Sequence, residues 1–317
     1  MALKFVYTLV SSERDYYAEQ AAVSMHSLRL HNPECHITLV TDEDTLKSLT
    51  GCRSLIKKYV SECITVNPPA DFTPVQKSRY IKTSLRQNIK GDFLFIDCDT
   101  IVTGCLEACG EMYAELGAVL DCHTTAERNG QLNRYLEQTK KTFWGYNFYF
   151  NTGVLLVKDT ENTHKFFDDW HRIWLEDKAK YNTSMDQPSF AQADMANNHL
   201  VREIDGRYNC QIVMAGAKRL MFDSLVVHYM SNLPEVGFPL KETNVLKQVR
   251  EKGITEDISR IIRNPQMSFL ESSCIIGGKE LELYNSPMVI LGRKLSRDFA
   301  WTNSIAKFIY RLFGFKI

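Results

Sequence analysis

The feature that most restricts this chain is its opening. An apolar stretch "KFVYTLV" starts at residue 4, Ala18, Ala21, Ala22, Met25 and Leu28 then recur at helical spacing up to the stop "HNP", and a second apolar stretch "HITLVTD" starts at residue 36. Strand, helix and strand in that order form a βαβ unit, which lays the two strands parallel with a right-handed crossover. The spacing predicts an α/β fold with a Rossmann-like start. No G-x-G-x-x-G follows the first strand, so the dinucleotide fingerprint is missing and a dehydrogenase reading loses its main support. A short strand "CITVN" leads to "PPADFTP", where Thr73, Pro74 and Gln76 offer an N-cap, a first-turn proline and a capping-box partner for a helix to about Asn88, ended by Gly91.

The next stretch, "FLFIDCDTIV" at residues 93–102, drives a buried strand into two aspartates. Side chains two apart in an extended segment share a face, so Asp97 and Asp99 can present both carboxylates to one hard cation while Cys98 turns into the packing. Left unpaired and buried, the two would shift their pKa values or weaken the fold, whereas a divalent ion neutralises both and recruits phosphate oxygens. The plainer use of such a pair is a cap or a loop. His228 ends another apolar strand in "LVVHY", and an imidazole added to two carboxylates suits Mn²⁺ better than Ca²⁺. Lys77, Arg79 and Lys82 stand on the preceding helix, where cations can hold a diphosphate or merely form a solvated basic face. Asp186 and Gln187 in "MDQP" read equally as a helix cap, and Asn151 in "YFNTGV" as a turn residue.

Composition sets the outer limits. Lys and Arg number 38 against 38 Asp and Glu, so nothing attracts the chain as a whole to nucleic acid. The nine cysteines are odd in number and contain no C-x-x-C, which fits a reducing, cytoplasmic setting better than a disulfide framework or a zinc site. The amino terminus reads as the first strand rather than a leader, and no apolar run approaches the roughly 18 residues of a membrane span. Residues from about 105 to 145 are polar and Gly-punctuated and are expected to form a variable region facing substrate. We expect residues 1–235 to be one domain and residues 236–317 a helical carboxyl-terminal region.

Taken in order, "FLFIDCDTIV", "YFNTGVLLVK", "NTSMDQPSFAQ" and "VVHYM" resemble the retaining nucleotide-sugar glycosyltransferases of the family that includes glycogenin and bacterial lipopolysaccharide galactosyltransferases, over roughly residues 3 to 235. The resemblance implies a GT-A fold: a Rossmann-like, mixed but mostly parallel sheet flanked by helices. It also implies Asp97, Asp99 and His228 as ligands of Mn²⁺ (or Mg²⁺), and Arg79 beside the sugar and phosphates. Asn151, Asp186 and Gln187 match positions lining the donor sugar, and Thr8 and Tyr17 positions holding uracil and ribose. Lys77 is assigned with Arg79 to the nucleotide sugar. The chain departs from the family in two places: no lysine follows His228 until Lys241, and the acidic residue after the first strand is matched only by Glu13 or Asp15, both displaced.

The implied reaction moves a hexose from a UDP-sugar to a glycan or lipid-linked acceptor. A nucleotidyltransferase on a similar sheet and a non-catalytic carbohydrate- or partner-binding protein are the alternatives; the first usually carries a Gly-rich basic loop that "LVSSERDYY" lacks. In "WTNSIAKFIYRLFGFKI", Trp301, Ile305, Phe308, Ile309, Leu312 and Phe313 recur at helical spacing with Lys307 and Arg311 opposite. A docked terminal helix is the common use of such a pattern. With six Lys or Arg against one Asp over residues 293–317, the preferred reading is a helix on an anionic membrane surface, placing the protein peripherally on the inner face.

Overall fold

In the computed structural model of the chain, which describes residues 3–141, 148–212, 223–229, 238–265, 286–299 and 301–313, the opening βαβ unit forms as expected. Strand β1 (Lys4–Leu9) runs through helix α1 (Tyr17–His31) to β2 (His36–Thr41), and the strands pair in parallel from Lys4 opposite His36 to Leu9 opposite Thr41. β3 (Glu62–Thr65) adds in parallel to β2, while β4 (Phe93–Ile96) adds in parallel to the other side of β1. With β6 (Leu116–Leu120), β7 (Phe150–Val157) and β8 (Val201–Glu203), the order is β3-β2-β1-β4-β7-β6-β8. β7 is antiparallel to both β4 and β6, which makes the sheet mixed but mostly parallel. The chain leaves β1 first toward β2 and later returns on the opposite side as β4. That reversal opens a crevice at the carboxyl ends of β1 and β4, where open α/β sheets take their ligands.

The apolar run in β4 shows why this centre is rigid. Leu94 and Ile96 enter a cluster on one face with Ala18, Ala21, Ala22, Met25 and Leu28 of α1, and Phe93 and Phe95 enter the other face with Phe166, Phe167 and Trp170 of the helix Glu161–Tyr181. Period-two alternation therefore divides one continuous apolar stretch between two covered faces. The helix before β4 starts with the expected capping box, Thr73 Oγ1 accepting from Gln76 N at 3.3 Å and Gln76 Oε1 from Thr73 N at 3.0 Å. It runs Pro74–Thr83 and resumes for one turn, Leu85–Asn88.

A second, three-stranded sheet has the order β5-β10-β9, formed by β5 (Thr100–Val102), β9 (Cys210–Gln211) and β10 (Val226–His228). The Asp97–Asp99 segment is the link by which the chain passes from the large sheet into this small one. β10 is antiparallel to β5, with His228 opposite Thr100.

The middle region differs from its polar reading. Within residues 105–145 the stretch "LGAVL" forms the buried β6, and the helix Gly130–Thr139 follows, its N-cap Asn129 accepting from the backbone of Gln131 and Leu132. β6 is short and set among polar residues, so no long period announces it; residues 142–147 lie outside the described part. Residues 1–272 form one compact unit and residues 273–317 a second. The first extends past residue 235 because Phe238, Val249, Ile258 and Ile262 pack with Val23, Ile101 and Val227. The second contains the helices Pro287–Asp298 and Thr302–Leu312. The eight described cysteines are free thiols, and no described helix is long and apolar enough to cross a membrane.

Candidate active site

Thr8, Tyr17, Arg79, Asp97, Asn151, Asp186, Gln187 and His228 line one cavity of about 380 Å³ at the crevice, together with Lys82 and Asp99. Lys77 is not among the lining residues: its ammonium lies 3.9 Å from Asp44. Helical geometry explains the split, since Arg79 and Lys82 are three residues apart and share a face, whereas Lys77 is five residues from Lys82 and turns away.

One oxygen of each of Asp97 and Asp99 and one nitrogen of His228 lie within 4.8 Å of one another. Asp99 Oδ1 is 3.2 Å from His228 Nε2, and His228 Nδ1 is 3.0 Å from Asn209 Oδ1. Asn209 therefore sets the ring from behind and leaves Nε2 toward the carboxylates, the arrangement by which an outer partner orients a metal-binding histidine. Gly153 in β7 makes room for the ring: a Cβ there would lie 2.3 Å from His228 Cε1. Its carbonyl also accepts from Asp97 N at 2.7 Å, pinning the start of the link.

Around this group the charges are tightly balanced. Burial pushes the Asp97 carboxyl up; Lys82 opposes the shift and Asp99 adds to it, and the result lies above the usual aspartate value. Burial pulls the His228 imidazole down, but the charge and hydrogen bond of Asp99, with Asp97 beyond, outweigh it and raise the ring above the ordinary histidine value. Lys82, almost wholly buried, reaches both Asp97 oxygens at 3.2 Å and Asp186 Oδ2 at 3.4 Å. Arg79 Nε stands 3.1 Å from Asp186 Oδ1. Burial pushes Asp186 up as well, yet Arg79 and Lys82, with the hydroxyl of Thr152 donating at 2.9 Å, hold it at about 2. Asp186 occupies the N-cap position of the helix Gln187–Ala196, but its side chain caps nothing; the carboxylate serves the cavity instead.

Asn151 lies within β7 rather than at a turn. Its Nδ2 donates to Asp121 Oδ1 at 2.7 Å and reaches Gln187 Oε1 at 3.3 Å, and its Oδ1 accepts from Gly153 N and from Asn209 Nδ2 at 2.8 and 2.9 Å. Gln187 Nε2 is buried and lies beside the Tyr149 phenol. Asp15, one of the two displaced acids, is consumed locally: its carboxylate accepts from Ser11 Oγ, Ser12 N and Tyr17 N at 2.6, 2.8 and 3.2 Å. Residues 230–237, where the family's lysine after His228 was sought, lie outside the described residues. Sequence reasoning did not select Asp121, Asn209 or Thr152. They carry no motif of their own, whereas Lys82 was named with Lys77 and Arg79 as a cation of its helix.

No curated protein sequence matches the chain. Among solved structures it is similar to the galactosyltransferase LgtC in complex with donor and acceptor sugar analogues, at 16% identity over 87% of this chain and 98% of that one, with a TM-score of 0.52. It is also similar to mouse xyloside xylosyltransferase 1, at 13% identity over 74% of this chain and 99% of that one, with a TM-score of 0.50. Such identities speak for the fold, which is GT-A. The family model described as glycosyl transferase family 8 matches residues 8–233, a span that holds every lining residue of the cavity, and the chain is accordingly a member of glycosyl transferase family 8, a nucleotide-sugar-dependent glycosyltransferase.

Proposed function

We propose that the protein transfers a hexose from a UDP-sugar to a glycan or lipid-linked glycan, with retention at the anomeric carbon and with Mn²⁺ as its ion. The observation that carries this reading is the meeting of Asp97, Asp99 and His228 in one cavity with Arg79 and Lys82. Two carboxylates and one imidazole are a donor set that fits a divalent ion of intermediate hardness, and burial, with the Asp99 charge adding to it, raises Asp97 despite Lys82. When bound, the ion supplies positive charge to a diphosphate leaving group.

The chain's own groups do the rest. Arg79 presents a guanidinium to the phosphates while Asp186 keeps it in place. Gln187, held through its Oε1 by Asn151, lines the cavity against the sugar, and Asp186, kept ionised, aligns sugar hydroxyls. The bond between the anomeric carbon and the phosphate oxygen breaks as the acceptor oxygen approaches from the same face. The acceptor's proton passes to the departing diphosphate oxygen, so no side chain need act as a nucleophile. Preorganised charge and dipoles in a partly dry cavity supply the stabilisation.

The test is to titrate UDP into the protein with Mn²⁺ and with EDTA, and to screen nucleotide sugars for donor hydrolysis. Metal-dependent binding together with hydrolysis of one UDP-hexose supports the reading. Binding without turnover of any donor would favour a non-catalytic role.

The acceptor proposal extends to the second unit. Trp301, Phe308, Leu312 and Phe313 are exposed, as are Met288 and Leu291, and Lys307 and Arg311 lie on the helix that holds Phe308 and Leu312 and is flanked by Trp301 and Phe313. Exposed apolar side chains interleaved with cations suit the surface of an anionic bilayer, with the basic stems snorkelling to the headgroups. This would place the enzyme peripherally on the inner face of a membrane, within reach of a lipid-linked acceptor. Removing residues after 296 should abolish sedimentation with anionic vesicles and spare donor hydrolysis; equal sedimentation of the shortened protein removes the idea.

A further inference from the structure

We infer that the side-chain amide of Gln20 hydrogen-bonds the nucleoside of the donor, an inference that rests on the nucleoside diphosphate reading above. Gln20 lies near the start of α1, is 4% exposed and lines the cavity. Its Oε1 is buried with no hydrogen-bond partner among the described residues. A folded chain seldom leaves a buried amide acceptor unpaired, and at a residue that lines a ligand cavity a small turn of the side chain brings that acceptor to the ligand.

Several polar groups of this region are already engaged. Asp15 closes on Ser11, Ser12 and the Tyr17 amide, and the Tyr7 hydroxyl stands 3.1 Å from Ser24 Oγ. The neighbouring Glu19 accepts at 2.7 Å from both Arg53 Nε and Arg250 Nε, and Arg250 also donates to the carbonyls of Glu13 and Asp15. This clamp fixes the first turn of α1, so Gln20 is held at the cavity wall rather than free to swing toward solvent.

Its place on the helix says which part of the donor it meets. Ser24, one turn further along, stands 2.6 Å from Thr100 Oγ1, beside Asp99; Tyr17, nearly one turn earlier, is half-exposed at the cavity. Residues three and four apart share a helix face. Passing outward from the Asp97–Asp99 link, a nucleoside attached to a diphosphate held there meets Gln20 before Tyr17. The orphaned atom is an acceptor, so it takes a ribose O–H or the imide N–H of uracil.

Gln20→Met keeps the length of the side chain and removes the amide. In the full-length protein with Mn²⁺, this variant is expected to bind UDP about tenfold more weakly, with donor KM raised and kcat nearly unchanged. Its melting temperature without ligand should be equal to or above that of the wild type, because an unpaired buried acceptor has been removed. In the wild type, either 2′- or 3′-deoxy-UDP or N3-methyl-UDP should show the same loss, and that analogue should lose nothing further in Gln20→Met, which identifies the ribose or the base as the source. Equal UDP affinity in the two proteins overturns the assignment and leaves the donor reading standing. A weaker affinity accompanied by a lower ligand-free melting temperature overturns it as well, in favour of a packing role. A wild type that binds no UDP overturns both.

Discussion

Asp99→Asn is expected to lower sugar transfer by about 10²- to 10³-fold or more at ordinary Mn²⁺ concentrations, while changing the melting temperature by only a few degrees. The carboxylate is one of three groups that converge within 4.8 Å, and the substitution removes the charge while nearly conserving shape. Asparagine can still place an oxygen toward His228 Nε2, now 3.2 Å from Asp99 Oδ1, so the antiparallel contact between β5 and β10 is retained. Loss of charge also relieves part of the repulsion that helps to raise Asp97. Stability and activity should therefore separate. Circular dichroism melts and donor hydrolysis rates measured on the same preparation check this; near-normal turnover by a folded Asp99→Asn protein would falsify the role given to the Asp97–Asp99–His228 group.

Lys82→Met should act in the opposite way and damage the fold first. The lysine is almost fully buried, reaches Asp97 and Asp186, and lies 4.9 Å from the Phe95 ring centroid. Methionine fills much of the same space, but it leaves two carboxylates in a low-dielectric site with one cation fewer. Removing one partner of a buried ionic group typically costs about 3–5 kcal/mol. For a unit of this size that corresponds to a fall in melting temperature on the order of 10 °C. Differential scanning calorimetry measures it directly. A shift of only a degree or two would mean that Asp97 is compensated by something other than Lys82. By contrast, Lys77→Met, whose ammonium lies 3.9 Å from the exposed Asp44, should be nearly silent, because exposed pairs contribute little.

The pair Lys77 and Lys82 shows where reading the chain succeeds and where it stops. Both are cations of the helix before β4, and both were plausible holders of a diphosphate. Which one enters the cavity depends on the rotation of that helix about its axis, set by Ile81 and Leu85 packing beneath the sheet. The Asp-Cys-Asp motif was visible because its chemistry is written within three residues. Its histidine partner lies 129 positions away from Asp99, and its approach depends on β10 pairing with a strand in a different sheet from β4. Asn209, Asp121 and Gln20 were not legible as site residues for a related reason. An amide or an acid becomes informative only when its partners, or the lack of one, are known.

The apolar periods of β1, α1 and β2, the capping box at Thr73 and the sharp passage from "FLFI" into two aspartates are local properties, carried by neighbours a few residues apart. By themselves they determined an α/β fold with a parallel start, and they put acids at the end of a central strand. Tertiary structure alone decided that β7 runs antiparallel beside β4, that the helices up to Arg263 belong with the first unit, and that Lys82 rather than Lys77 faces the acids. It also decided that Gln20, at the cavity wall, has no partner for its buried Oε1 among the described residues. Each of these outcomes depends on the packing of segments distant in the chain, which the sequence specifies only through the fold as a whole.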